Sequence, residues 1–171
     1  MTPERHRWTV DQLDLTGTER VLEFGGGPGV ATGLVCDRLT TGSVLAIDRS
    51  AVAVRRTSER NSAHIACGRL TVRQCSIADL DVPAGSIDVA FGINVNVFWT
   101  TSAVAELAAL SHALVPGGRL LIAYGSGPKD PGNRDAISMV LSTVEAGPFE
   151  RRTVLRDSHS AAVLAHRGRI E

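Results

Sequence analysis

Aromatic residues are scarce: two Trp, one Tyr and four Phe among 171 residues, 4% of the chain. The core must therefore be built mainly from aliphatic side chains, and the chain has few flat surfaces on which successive nucleic-acid bases could stack. Cysteine is equally sparse. Cys36, Cys67 and Cys75 are too few and too irregularly spaced for a disulfide framework or a paired thiolate metal site, so no metal is expected. All three are read as reduced, buried small side chains. Charge of one sign is not in excess, since 18 Lys and Arg face 18 Asp and Glu for a formal net charge of zero. That excludes the broad basic field behind sequence-independent nucleic-acid binding and leaves the pairs Arg55, Arg56 and Arg151, Arg152 as solvated surface. The basic residues are 17 Arg and a single Lys, Lys129, a bias that a GC-rich bacterial coding sequence explains without any binding function.

Long hydrophobic runs are also missing. None approaches the roughly 20 residues that span a bilayer, and residues 1–14, with Glu4, Arg5, Arg7 and Asp11, lack the apolar segment of a secretory leader. The expectation is a cytoplasmic protein without membrane contact. With 43% hydrophobic residues, the length suffices for one domain with a proper core. Residues 1–171 are read as that single domain, with 1–17 a short leading segment that could act as a lid and 18–166 the sheet.

Short runs of Val, Ile and Leu alternate with longer helix-compatible stretches, the pattern of an α/β protein with a parallel sheet covered by helices on both faces. Strands are expected at 20–24, 43–47, 70–75, 87–91 and 119–124, each bounded by Gly, Pro, Asp or Ser. Helices are expected at 30–39, 51–63, 102–114 and 135–146, the third with Val104, Leu107, Leu110 and Leu114 at helical spacing before the stop signal Pro116, Gly117, Gly118. A Gly- and Pro-rich loop fills 125–133. Two last strands, 152–155 and 161–166, are joined by a turn too short for a parallel crossover, so the sheet should end in an antiparallel strand.

The strongest local signal is Val21-Leu22-Glu23-Phe24-Gly25-Gly26-Gly27-Pro28-Gly29, a buried strand that runs into a glycine turn and then a helix. Such a crossover holds nucleotides, because a backbone without Cβ takes positive φ and lets a ligand approach the main chain. Spacing decides which nucleotide. Counted from Gly25 the last position of the dinucleotide fingerprint is Val30, and counted from Gly27 it is Thr32, so that pattern fails and a nicotinamide oxidoreductase is disfavoured. No Gly-Lys-Ser or Gly-Lys-Thr follows, so the Walker pattern fails too. What fits is Glu-x-Gly-x-Gly-x-Gly from Glu23, an acidic lead-in suited to a cationic ligand bearing an ammonium and a sulfonium. Asp48, closing the second strand, can accept hydrogen bonds from both hydroxyls of a ribose.

Val21 to Gly29, Asp48, and Leu114-Val115-Pro116-Gly117-Gly118-Arg119-Leu120 together resemble a class I S-adenosylmethionine-dependent methyltransferase. The resemblance implies a Rossmann-like doubly wound sheet of seven strands in the order 3-2-1-4-5-7-6, strand 7 antiparallel. It implies that Glu23 and the backbone of Gly25, Gly26, Gly27 and Gly29 hold the methionine part of S-adenosylmethionine, with S-adenosylhomocysteine as the product. It also places Asp48 on the ribose and Arg49 beside the adenine. Where the family commonly carries an acidic residue for the adenine amino group this chain has Ser76, followed by Ile77, and a shift of register would bring Asp79 there instead.

Ligands of open α/β sheets lie beyond the carboxyl ends of the strands at the switch in strand order. Asn94 is therefore expected at the cofactor or substrate, and Asn96, Phe98, Trp99 and Tyr124 are candidate pocket residues; packing at the strand–helix junction is an equal reading of Phe98 and Trp99. The Asn/Asp-Pro-Pro-Tyr signature of base and glutamine methylation is absent, which favours a small-molecule acceptor. Methyl transfer from a sulfonium is one in-line displacement, and positioning alone supplies about 7–11 kcal/mol in well-oriented cases. No catalytic residue is assigned; His159, in the last turn, is the least improbable base. A non-catalytic relative that works through protein contacts is the alternative, and a homodimer that completes the pocket is compatible with the short chain.

Overall fold

The computed structural model describes residues 3–125 and 134–168. In chain order they form α1 (Glu4–Gln12), β1 (Arg20–Phe24), α2 (Val30–Arg38), β2 (Ser43–Asp48), α3 (Ala51–Arg60), α4 (Ser62–Ala66) and β3 (Leu70–Gln74). There follow β4 (Ile87–Ile93), α5 (Val97–Thr100), α6 (Val104–Ala113), β5 (Leu114–Gly125), α7 (Arg134–Glu145), β6 (Phe149–Arg156) and β7 (Ser160–Arg167). The strands make one sheet in the order β3-β2-β1-β4-β5-β7-β6. β1 to β5 pair in parallel, and β7 runs antiparallel to both β5 and β6, as expected from the sequence.

The sheet has a core on each face because its strands are apolar at consecutive positions. Along β1, Leu22 and Phe24 enter the cluster beneath α6 and α7, whereas Val21 enters the one shared with α1 and α2. β5 divides in the same way, with Leu120, Ile122 and Tyr124 on the first face and Leu121 and Ala123 on the second. Each aliphatic or Phe side chain so buried contributes about 1.5–3 kcal/mol. Packing between β1 and β4 leaves no room for a methyl group at Gly92, where a Cβ would lie 2.2 Å from Phe24 Cε2 and 2.9 Å from the Phe24 carbonyl oxygen. Gly92→Ala is expected to destabilise the fold by about 1–3 kcal/mol, read as a fall in Tm.

Four local features depart from the sequence reading. Residues 4–12 form a helix rather than a lid: Thr9, Val10 and the following Leu13 are buried against α2 and the sheet, and Asp11 pairs with Arg38. The helix expected at 51–63 breaks at Asn61 (φ −112°, ψ 27°), whose side chain is drawn inward to hydrogen-bond backbone carbonyls. β5 is recorded from Leu114, with an irregular lead-in through Gly117 at φ +76°. Of the cysteines only Cys36 is buried; Cys75 is half-buried and Cys67 is exposed, because α4, which it ends, has no buried residue.

Candidate functional site

The switch in strand order falls between β1 and β4, and a cavity opens at the carboxyl ends of β1 to β4. It measures about 470 Å³ and is walled by Gly25, Ile47, Asp48, Arg49, Cys75, Ser76, Ile77 and Asn94, together with residues of the β4–α6 segment. The volume lies within the range of about 300–1,000 Å³ typical of small-molecule and cofactor sites.

The glycine turn meets this cavity at Gly25, while Gly26, Gly27 and Gly29 lie outside its lining, and the turn is held from both sides. Gly25, Gly27 and Gly29 have φ of +66°, +55° and +74°, conformations that favour glycine. Gly29 is also sterically required, since a Cβ there would lie 2.8 Å from Thr57 Cα. Three successive carbonyls of the turn accept hydrogen bonds from α3 and its end: Gly27 from Thr57 Oγ1 at 3.0 Å, Pro28 from Arg60 Nε at 2.8 Å and Gly29 from Asn61 Nδ2 at 2.9 Å. On the other side the Gly25 amide donates to Ile47 O at 2.8 Å and the Gly27 amide to Asp48 Oδ2 at 3.1 Å. Thr57, Arg60 and Asn61 did not emerge from the sequence reading. The one available signal was an Asn within an otherwise helical stretch, which marks a local backbone contact.

Asp48 sits where the sequence places it, at the end of β2 and on the cavity wall, its other oxygen accepting from the Ser50 amide at 2.9 Å. Arg49, Ser76 and Ile77 join it on the wall. Asn94 lies there too, in the left-handed region at φ +59°, which Asn tolerates better than most residues. Its amide donates to Ala123 O at 2.8 Å and its Oδ1 accepts from the Gly125 amide at 3.1 Å, so it ties the end of β4 to that of β5.

Glu23 takes a different position from Asp48. It shares the α2 side of β1 with Val21, is fully buried beneath Gly26, accepts from the Thr32 hydroxyl, and does not reach the cavity wall. Burial pushes its pKa from 4.5 up to about 7; the Thr32 hydrogen bond pulls in the opposite direction and the nearby Asp48 charge adds to the rise.

The candidate pocket residues separate. Asn96 lines the cavity. Phe98 does not: it is fully buried, its ring 5.7 Å from that of Phe24 at 56°, so packing is its role. Trp99 donates from Nε1 to Asn96 Oδ1 at 3.2 Å and faces a shallower groove shared with Met139, Ser142 and Thr143. Tyr124 is buried on the α6 side of β5, donates its hydroxyl to Val95 O, and lies outside the cavity lining; burial raises its pKa, so it is no base. His159 stands in the β6–β7 turn beyond the cavity wall. Residues 126–133, which hold most of the expected 125–133 loop, lie outside the described residues. Among the described residues, no group of three or more His, Cys, Asp and Glu side chains is placed to hold a metal ion, and no helix is long and apolar enough to cross a membrane.

Residues 21–118 match the methyltransferase domain family. The chain is 30% identical over 130 residues to trans-aconitate 2-methyltransferase of Rhodopseudomonas palustris (strain BisA53), covering 76% of this chain and 45% of that protein. It is 32% identical over 131 residues to the ubiquinone/menaquinone biosynthesis C-methyltransferase of Syntrophotalea carbinolica, covering 73% and 53%. The chain spans about half the length of these curated relatives. A solved SAM dependent methyltransferase from Aquifex aeolicus shares the fold, with a TM-score of 0.79 and 18% identity over 94% of this chain and 88% of that one. Residues 21–118 carry the glycine turn, Asp48 and the whole of the cavity wall, and the chain belongs to the methyltransferase domain family, on the class I fold that its sequence resembles.

Proposed function

We propose that this domain binds S-adenosylmethionine in the cavity at the ends of β1 to β4 and transfers its methyl group to a small-molecule acceptor. The observation that carries the reading is one wall on which Gly25, the Asp48 carboxylate and apolar Ile47 and Ile77 converge. These suit, in turn, a ligand pressed against the main chain, a ribose diol and a purine face. The relatives' names, trans-aconitate 2-methyltransferase and a C-methyltransferase of quinone biosynthesis, support a small acceptor. When bound, the cofactor supplies an activated methyl group, so the chain's task is to orient donor and acceptor and exclude water. Zero net charge argues against a polyanionic nucleic-acid partner. We place the protein in the cytoplasm, with a second copy as the simplest way to complete the acceptor pocket.

Incubating the purified protein with methyl-labelled S-adenosylmethionine and a metabolite extract should move label into a small molecule. S-adenosylhomocysteine should raise Tm while NAD does not. Stabilisation by NAD alone would overturn the cofactor reading. Stabilisation by S-adenosylhomocysteine without any transfer would establish the non-catalytic alternative.

A further inference from the structure

We propose that Glu106, from the first turn of α6, accepts the adenine amino group and makes the site selective for a 6-amino over a 6-oxo purine; this rests on the cofactor reading above. The acidic residue common at the end of β3 is missing in this chain, and the two groups nearest that place are already engaged with each other. Ser76 Oγ donates to Asp79 Oδ2 at 2.6 Å and accepts from the Asp79 amide at 3.2 Å. The Ser76 hydroxyl proton is therefore turned away from a ligand, and Asp79 does not line the cavity.

Among the described residues two carboxylates stand on the wall, Asp48 and Glu106. Asp48 lies at the glycine turn, where its oxygens accept from the Gly27 and Ser50 amides and keep further lone pairs for the ribose diol of the cofactor reading. Glu106 closes the same cavity that Cys75, Ser76 and Ile77 line from the β3 end. Among the described residues it has no hydrogen-bond or ion-pair partner, although it is half-buried. A partly desolvated carboxylate without a partner gains free energy from any N–H donor that reaches it.

Its direction is set by the helix. Leu107, Leu110 and Ala113 are buried on one side of α6, which puts Glu106 at the edge of that face. The chain enters the helix through Ala103 at φ +45°, with the Ala103 amide donating to Thr101 Oγ1 at 3.0 Å. The neighbouring hydroxyls point the same chemical way. Thr100 and Thr101, both on the wall, donate their protons to Asn96 O and Val97 O at 2.9 Å, so each oxygen has only acceptor capacity left for a ligand. Ser76, Thr100, Thr101 and Glu106 make this end of the wall rich in acceptors, which an amino group satisfies and a purine carbonyl does not.

Isothermal titration of the wild type, Glu106→Gln and Glu106→Ala with S-adenosylhomocysteine and with its deaminated 6-oxo analogue, S-inosylhomocysteine, tests this. The wild type should prefer the 6-amino ligand by about tenfold or more, the effect of a hydrogen bond to a charged group. Glu106→Ala should weaken S-adenosylhomocysteine by about that factor and leave the 6-oxo ligand within about threefold, so that selectivity collapses. Glu106→Gln, which keeps the shape and adds a donor, should bind the 6-oxo ligand better than the wild type does. Preserved selectivity in both variants, or an equal loss for both ligands, would overturn the assignment. Failure of the wild type to bind either nucleoside would instead overturn the cofactor reading on which it rests.

Discussion

Asp48→Ala is expected to weaken S-adenosylhomocysteine binding by about 10²- to 10⁴-fold. Two charge-assisted hydrogen bonds to a ribose diol are worth about 1.5–3 kcal/mol each, and both go with the carboxylate. Asp48 also organises the glycine turn, since its oxygens hold the Gly27 and Ser50 amides at 3.1 and 2.9 Å. The substitution is therefore expected to loosen the glycine turn as well as to remove the proposed partner of the ribose. At a hundredfold excess over its dissociation constant a ligand that binds only the folded state stabilises it by about 2.7 kcal/mol. In a domain of this size that is a rise in Tm of about 5–11 °C. For Asp48→Ala at the same ligand concentration the gain should fall below about 0.5 kcal/mol. Thermal unfolding with and without ligand measures both, and an unchanged shift in the variant would make Asp48 purely structural.

Glu23→Gln should leave stability near pH 4 almost unaltered and raise it near pH 8.5. Burial beneath Gly26 lifts the Glu23 pKa from 4.5 to about 7, so the folded chain holds this proton more tightly than the unfolded one. The stability linked to that proton is full below pH 4.5 and is lost as the pH climbs through about 7, because the folded state then carries a buried charge. The rise in pKa corresponds to roughly 3 kcal/mol. Gln is neutral throughout and its oxygen can still accept from Thr32, so it escapes the loss. Tm of the variant should exceed that of the wild type by about 6–12 °C at pH 8.5, with the two curves converging toward pH 4. A difference that does not change with pH would show that Glu23 does not titrate in this range.

These two carboxylates show how far residue order reaches. Each stands at the end of a strand in a recognisable motif, and from spacing alone both belong to the ligand. Asp48 does reach the cavity wall, because it is the last residue of β2 and stands at the carboxyl edge of the sheet. Glu23 lies one residue before the last of β1, on the face that α2 covers, so its carboxyl meets Thr32 and not the cavity. Which side of the sheet a residue faces follows from strand alternation, but what covers that side is a tertiary fact. Phe98 and Tyr124 repeat the lesson. Both are placed by sequence near the ends of the central strands, yet each packs into the α6 and α7 cluster, where burying an aromatic ring is worth more than exposing it at a cavity rim.

The residues missed share a different cause. Thr57, Arg60 and Asn61 grip the glycine turn from about 30 positions away, and Glu106 comes to the wall from an element beyond β4. Such contacts carry no local periodicity. The amino-acid sequence by itself determined the α/β class, the closing antiparallel hairpin, the glycine turn and the place of Asp48 at the end of a strand, because these depend on short-range hydrophobic alternation and on the backbone freedom of glycine; the strand order came from the family resemblance. Only the tertiary structure decided that the leading segment packs as α1, that Glu23 is a buried support, and that Glu106 faces the cavity. Those outcomes depend on which distant helices lie against the sheet, and that is settled when the two cores close.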